Sequence, residues 1–173
     1  LELAHYALSL NPKDYAAHSA VISLQLRLQQ WDEAKNTAQK ARLARNKKQH
    51  LLGLVHLAKG EWLLEEGRDE EALANARHAL YSLPDLAPAA ALAACAYSEN
   101  HQPRKAYRIL QKAWKKHPHP LLRDTLYTLT LHEPAAKQEK WRESLKGDSA
   151  EGGHWHCQSC HHSAPRWALH CPQ

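Results

Sequence analysis

The sequence contains neither phenylalanine nor methionine, and only 6 of its 173 residues are glycine. Long alternating runs of Val, Ile and Thr, which are typical of β-sheets, are also missing. These absences favour a helical fold. Because 43% of the residues are hydrophobic, the chain can still bury a core, which must consist mainly of Leu, Ala, Trp and Tyr.

The short motifs that mark common enzymes are absent as well. The sequence has no nucleophile elbow, phosphate-binding loop, HExxH metal motif or dinucleotide-binding glycine pattern. We therefore predict that the protein is not an enzyme. His56, His78 and His101 lie at unrelated positions of predicted helices, and we interpret each as a surface or packing residue.

Charge of one sign is not concentrated in any long segment. The net charge is +5, with only short clusters such as Arg45–Lys48. A nucleic-acid-binding protein usually gathers its cations on one face or in one motif, so we predict no nucleic-acid partner. No apolar run approaches the roughly 20 residues that cross a bilayer. The chain begins at Leu1 without a signal-peptide pattern, and we expect any membrane association to come from an N-terminal anchor outside this chain.

What the sequence does contain is a repeated pattern of small residues. One set recurs after roughly 34 residues, a period that indicates a helical repeat. The spacing to the set before it is longer by four positions, which implies an insertion near 44–50. A partial set stands at the start of the chain. The four copies are Ala4, Ala7 and Pro12; Ala34, Ala38 and Ala41; Ala72, Ala76, Ala79 and Pro84; and Ala106, Leu110, Ala113 and Pro118.

Each repeat corresponds to two antiparallel helices. Small residues at fixed places let the two helices approach closely, and the proline ends the second helix. Gly67 and Asp32 lie where the turn between paired helices is expected, and Asp69 and Pro103 mark helix starts. One pair cannot bury its apolar face alone, so the pairs must stack. The tetratricopeptide pattern places Trp, Leu, Gly and Tyr at a fixed spacing. The residues at that spacing here are Ala90, Ala93, Ala94 and Tyr97.

We therefore predict an all-α protein, a right-handed tetratricopeptide-repeat superhelix followed by a small Cys-rich metal knuckle. An ordinary helical bundle with alanine-rich seams is the alternative. The predicted units are the repeat solenoid at 1–145, a polar linker at 146–153 and a partial rubredoxin-like or zinc-ribbon knuckle at 154–173. The predicted helices are 1–10, 15–29, 31–45, 50–66, 69–82, 87–99, 103–116, 120–131 and 134–145.

Stacked pairs form a concave groove lined by the first helix of each pair. This lining combines small, apolar and charged residues, which suits an extended peptide or a helix with apolar anchors. We therefore predict a protein or peptide partner. We interpret Cys95 as a small hydrophobic residue, since no cation lies within one helical turn of it. The candidate groove residues are Ser19, Ser23, Arg27, Leu57, Glu61, Leu64, Glu65, Cys95 and Glu99.

Three of the four cysteines lie close to the C-terminus. Cys157 and Cys160 form a CxxC turn, and Cys171-Pro172-Gln173 supplies the first three residues of a CPxC turn. This pattern predicts a metal site in a reducing compartment rather than a disulfide framework. Zinc is the expected ion, rubredoxin-like iron is the alternative, and the fragment without metal is a third reading. The candidates for a fourth ligand are His154, His156, His161, His162, His170 and a residue 174.

The segments 80–94 and 105–120 resemble the HemY family of bacterial tetratricopeptide proteins in its alphaproteobacterial form. The most specific element is Ala113-Trp114 followed by Pro118-His119-Pro120. The resemblance covers roughly residues 15–130, and it implies a protein tied to the inner membrane by N-terminal helices and linked to haem and porphyrin metabolism. The tail, with its CxxC turn, Trp167 and Cys171-Pro172, resembles the terminal knuckle of LapB proteins, which regulate lipopolysaccharide assembly.

The leading hypothesis is a scaffold whose groove recruits a protein partner, as the soluble part of a membrane-anchored bacterial protein. A LapB-like regulator is one alternative, and a rubredoxin-like iron module that passes electrons is another. A third alternative is direct binding of haem or porphyrin by the histidine-rich tail.

Overall fold

The computed structural model describes residues 2–145 and two short strands further on. Residues 2–145 form nine helices, which confirms the predicted all-α class for this part of the chain. The strands β1 (Trp155–His156) and β2 (Ser163–Ala164) pair antiparallel, Trp155 with Ala164 and His156 with Ser163. The helices are α1 (Glu2–Leu10), α2 (Tyr15–Arg27), α3 (Trp31–Lys40), α4 (Arg45–Glu65), α5 (Asp69–Ser82), α6 (Ala87–Glu99), α7 (Pro103–Lys116), α8 (Pro120–Thr130) and α9 (Ala135–Ser144).

The helix boundaries agree with the sequence to within two residues, except between α3 and α4. We predicted that α3 would reach residue 45 and that α4 would begin at residue 50, and both predictions were wrong. The backbone leaves the helix at Ala41, where ψ is 131°, and it is still extended at Ala44, where ψ is 148°. Leu43 packs on the core between these residues. The inserted residues lengthen the start of α4, which has 21 residues.

The turn inside the pairs α2/α3, α4/α5 and α6/α7 is repeated almost unchanged. Gln29, Gly67 and His101 occupy the same position after α2, α4 and α6, with φ of 56°, 69° and 57°. In each turn the next amide donates to a carbonyl five residues earlier: Gln30 to Gln25 at 2.9 Å, Arg68 to Leu63 at 2.9 Å, and Gln102 to Tyr97 at 2.8 Å. This is the Schellman helix ending, which favours glycine. The prediction for Gly67 is confirmed, whereas Asp32 lies inside α3 and Gln29 holds the turn.

The repeated small residues form the buried seams between paired helices. Ala34 and Ala38 on α3, Ala72 and Ala76 on α5, and Ala106 on α7 are all completely buried. A side chain on Gly53 would place its Cβ 2.6 Å from Cγ of Leu83 and 2.8 Å from Cβ of Ser82. The side chains of Leu83 and Ser82 therefore occupy the space that a side chain at Gly53 would need. The side chains of Ala4 and Ala7, which belong to the partial copy, lie outside the described residues.

We call α2, α4, α6 and α8 the first helices, and α3, α5, α7 and α9 the second helices. Each first helix contacts the next first helix, whereas the main contacts of α3, α5 and α7 are with first helices. The core has three corresponding clusters, built from α2 to α4, from α4 to α6 with Leu83 between α5 and α6, and from α6 to α8 with Leu145. The first helices therefore form a continuous row.

Candidate functional site

Most of the groove residues expected from the sequence are at least partly exposed on the first helices. Ser19 and Ser23 on α2 and Leu64 on α4 are half-buried, and Arg27, Glu65 and Glu99 are exposed. These six side chains are thus accessible to a partner. Leu57 was wrongly predicted as a groove residue, because it is completely buried. It packs between α4 and α6, in the cluster that contains Leu92 and Ala93.

Glu61 is the most perturbed carboxyl group in the row. It is half-buried on α4, and burial, with a smaller contribution from the Glu65 carboxylate one turn later, raises its pKa to about 7. The cation closest in sequence after it, Arg68, is paired with Glu71 at 2.6 Å. Among the described residues no ion pair neutralises Glu61. A partly desolvated carboxylate without a counter-ion gains strongly from an incoming cation.

The equivalent positions of the neighbouring first helices differ in charge. Glu99 on α6 is the counterpart of Glu65 one repeat later, and Arg27 on α2 is its counterpart one repeat earlier. The row is therefore acidic at α4 and α6 and carries a cation at α2. Glu133, one repeat after Glu99, accepts a hydrogen bond from Lys137 at 2.6 Å, so its charge is compensated within the chain.

Cys95 is the counterpart of Glu61 one repeat later, at the same place on α6. It is a free, half-buried cysteine, and burial, followed by the charge of Glu99, raises its pKa to about 11. The thiol is therefore protonated at neutral pH and is a poor nucleophile. The interpretation of Cys95 as a small packing residue agrees with this setting.

A second cluster brings together two histidines that the sequence analysis treated as unrelated. His56 on α4 and His78 on α5 stack with ring centroids 4.9 Å apart. Nδ1 of His56 donates to Oδ1 of Asn75 at 2.9 Å, and Nδ2 of Asn75 donates to the carbonyl of Glu71 at 2.9 Å. The interpretation of each as a surface or packing residue agrees with this contact, but their positions are not unrelated, because they face each other across the seam of an antiparallel helix pair.

Charge is also more segregated than the sequence analysis assumed. Acidic groups such as Glu65, Asp69 and Glu99 lie close to the turns that join the two helices of a pair. The segments 34–60 and 100–123 contain no Asp or Glu at all. Such acid-free windows are the sequence signal that could have revealed the segregation.

The predicted metal ligands Cys157, Cys160 and Cys171, the linker 146–153 and most of the knuckle at 154–173 lie outside the described residues. The CxxC motif falls between the paired strands β1 and β2 in the sequence. Within the described part of the chain, no group of three or more His, Cys, Asp or Glu is placed to hold a metal ion. None of the helices described here has the length and apolar character that crossing a bilayer requires.

Searches of the chain against models of known protein families, curated proteins and solved structures find no match.

Proposed function

We propose that this protein is a tetratricopeptide-type scaffold that binds a segment of another protein along its first helices. The observation that carries this proposal is the continuous row of first helices, which presents accessible polar and apolar groups. Helix pairs with the same turn and the same buried seams stack into superhelices whose inner face is lined by first helices. The resemblance to HemY-type proteins supports a membrane-linked adaptor.

The chemistry of the row specifies the guest. Leu64 on α4 offers an apolar contact, and Glu61, Glu65 and Glu99 offer three carboxylates without an ion pair in the described part of the chain. A segment that carries Lys or Arg beside an apolar side chain fits these groups. Arg27 at the α2 end favours an acidic group at that end of the guest, which would fix its direction.

The experiment is selection from a random peptide library with balanced acidic and basic residues. We expect the wild-type protein to enrich peptides rich in Lys and Arg. The double variant Glu61→Lys/Glu65→Lys should enrich acidic peptides instead, because it replaces two negative charges on α4 by two positive charges. Neighbouring Glu66 is exposed beyond the end of α4, and Glu66→Lys is the matched control with the wild-type preference. Identical enrichment by wild type and double variant would contradict the proposal.

We also propose a metal knuckle in the C-terminal segment, as a second contact or a brace. The antiparallel pairing of β1 with β2 supports it, because it joins the segments on the two sides of the CxxC motif. Two cysteines separated by two residues can bind one tetrahedral ion. Metal analysis should find about one zinc per chain, and Cys157→Ser/Cys160→Ser should abolish it while Cys95→Ser does not. Equal metal content in the three proteins would refute the site, and iron with visible absorption would favour the redox alternative.

A further inference from the structure

A groove of about 320 Å³ lies between the first half of α4 and the second half of α5. Its lining includes Arg45, Lys48, Gln49, His56, His78 and Tyr81. We call it the basic groove. It lies within one helix pair, and its lining residues differ from the candidate groove residues on the first helices described above. Tyr81 at its rim is 77% exposed, so an aromatic ring is available there.

Among the described residues that line the basic groove there are cations but no Asp or Glu. Residues 34–60 contain seven Lys or Arg and no Asp or Glu, and residues 72–84 contain no acidic residue either. Glu71, one turn before Asn75, accepts two hydrogen bonds from Arg68, at 2.8 and 2.7 Å. Nζ of Lys48 donates to the carbonyl of Gln39 at 2.9 Å, which leaves two of its three hydrogens for another acceptor.

His56 is the ring in this stack that can respond to an anion. Burial lowers the pKa of His56, and the hydrogen bond to Asn75 only partly offsets this. His78 on α5, Lys35 on α3 and Lys59 on α4 lower it further. In the free protein the ring is therefore neutral at pH 7, with its proton on Nδ1, which donates to Asn75. Protonation would add a second donor at Nε2.

We propose that the basic groove binds a phosphate monoester, with Lys48 and the protonated ring of His56 as donors to the phosphate oxygens and Arg45 adding positive charge at the start of α4. A phosphate group offers three strong acceptor oxygens, and Arg and Lys are its usual partners in proteins. The volume of the groove leaves room for the organic part of the ligand, and Tyr81 can pack against it. The source is either a soluble phosphorylated compound or a lipid headgroup.

Binding is coupled to proton uptake at His56. The anion favours the imidazolium, so it raises the pKa of His56, whereas burial and then the charges of His78, Lys35 and Lys59 lower it in the free protein. Affinity should consequently fall as pH rises through the raised pKa. Sulfate, which does not titrate in this range, separates this proton from the protonation of phosphate itself.

The test is NMR titration of the histidine rings, with His56 identified by the loss of its signal in His56→Gln. At matched ionic strength, sulfate and glycerol 3-phosphate should each raise the pKa of His56 by roughly one unit relative to chloride. Arg45→Gln/Lys48→Gln should remove this shift. Lys112→Gln/Lys115→Gln, which deletes two exposed cations of α7, should retain it.

The two sources are distinguished by co-sedimentation with vesicles that contain phosphatidic acid. Sedimentation that the Arg45/Lys48 variant loses and the α7 variant keeps identifies a lipid headgroup. A His56 shift in solution without such sedimentation identifies a soluble ligand. The proposal is overturned if neither sulfate nor glycerol 3-phosphate moves the pKa of His56, or if the shift survives in Arg45→Gln/Lys48→Gln.

Discussion

Leu110→Ala is expected to lower the free energy of unfolding by about 3 kcal/mol, because it combines the lost burial of a leucine side chain with a residual cavity. Leu110 is completely buried on α7 and packs in the cluster of α6, α7 and α8 with Ala90 and Ala94. The corresponding seam residues of α5 and α3 are alanines. Leu110 is therefore the one large side chain at this place in the three seams.

Urea unfolding monitored by circular dichroism measures this loss. Leu3→Ala on α1 is the matched control, because Leu3 is 85% exposed and its truncation should change stability by less than about 0.5 kcal/mol. If both variants lost the same small amount, Leu110 would not belong to a packed seam, and the helix pairs would not stack as described.

Glu61→Gln is expected to stabilise the protein by about 2 kcal/mol at pH 8 and hardly at all at pH 4.5. The pKa of Glu61 is raised from 4.5 to about 7 by burial and then by Glu65. Below pH 4.5 the carboxyl group is protonated in both the folded and the unfolded state, so folding carries no penalty. As pH rises to 7 the unfolded state releases the proton first, and the fold loses at most about 1.4 kcal/mol per pH unit.

Glutamine has no proton to release, so the benefit of the substitution should grow between pH 4.5 and 7 and then level off. We expect less than the full value of the shift because Glu61 is only half-buried and solvent screens its repulsion by Glu65. Glu66→Gln, an exposed neighbour, provides the baseline. A stabilisation by Glu61→Gln that does not vary with pH would show that the carboxylate carries no charge penalty in the fold.

The same penalty links stability to binding. A guest cation placed beside Glu61 compensates for the hydration that the carboxylate loses on folding. The protein is therefore more stable with the guest bound than without it. Neutralising Glu61 should therefore stabilise the free protein and weaken the preference for basic peptides. Such a trade-off between the stability of the free protein and its binding of a ligand is common at functional surfaces.

The repeat could be predicted because small residues are visible at fixed spacing, and they are the residues that close helix packing requires. Asp69 and Pro103 likewise marked helix starts correctly, since helix-start chemistry is local. The end of α3 could not be predicted, because Leu43 leaves the helix to reach the core, which is a tertiary effect. Burial of Leu57 was missed for a similar reason: a first helix packs on both its partner and the next first helix.

The groove residues were only partly predictable. Helical periodicity placed Glu61 and Glu65 on one accessible face, but it could not show that Glu61 is partly desolvated. The pairing of His56 with His78 depends on the register of two antiparallel helices, which the separate positions do not reveal. The acid-free stretch at 34–60 was visible in the sequence, but its meaning emerges only when α4 and α5 are placed side by side.

The central claim is that a guest polypeptide lies along the first helices, and hydrogen exchange with and without a selected basic peptide tests it most directly. The account predicts that the peptide slows exchange of amides in α2, α4 and α6, with little change on the exposed face of α7. Protection confined to α5 and α7, or spread evenly over the helices, would contradict it.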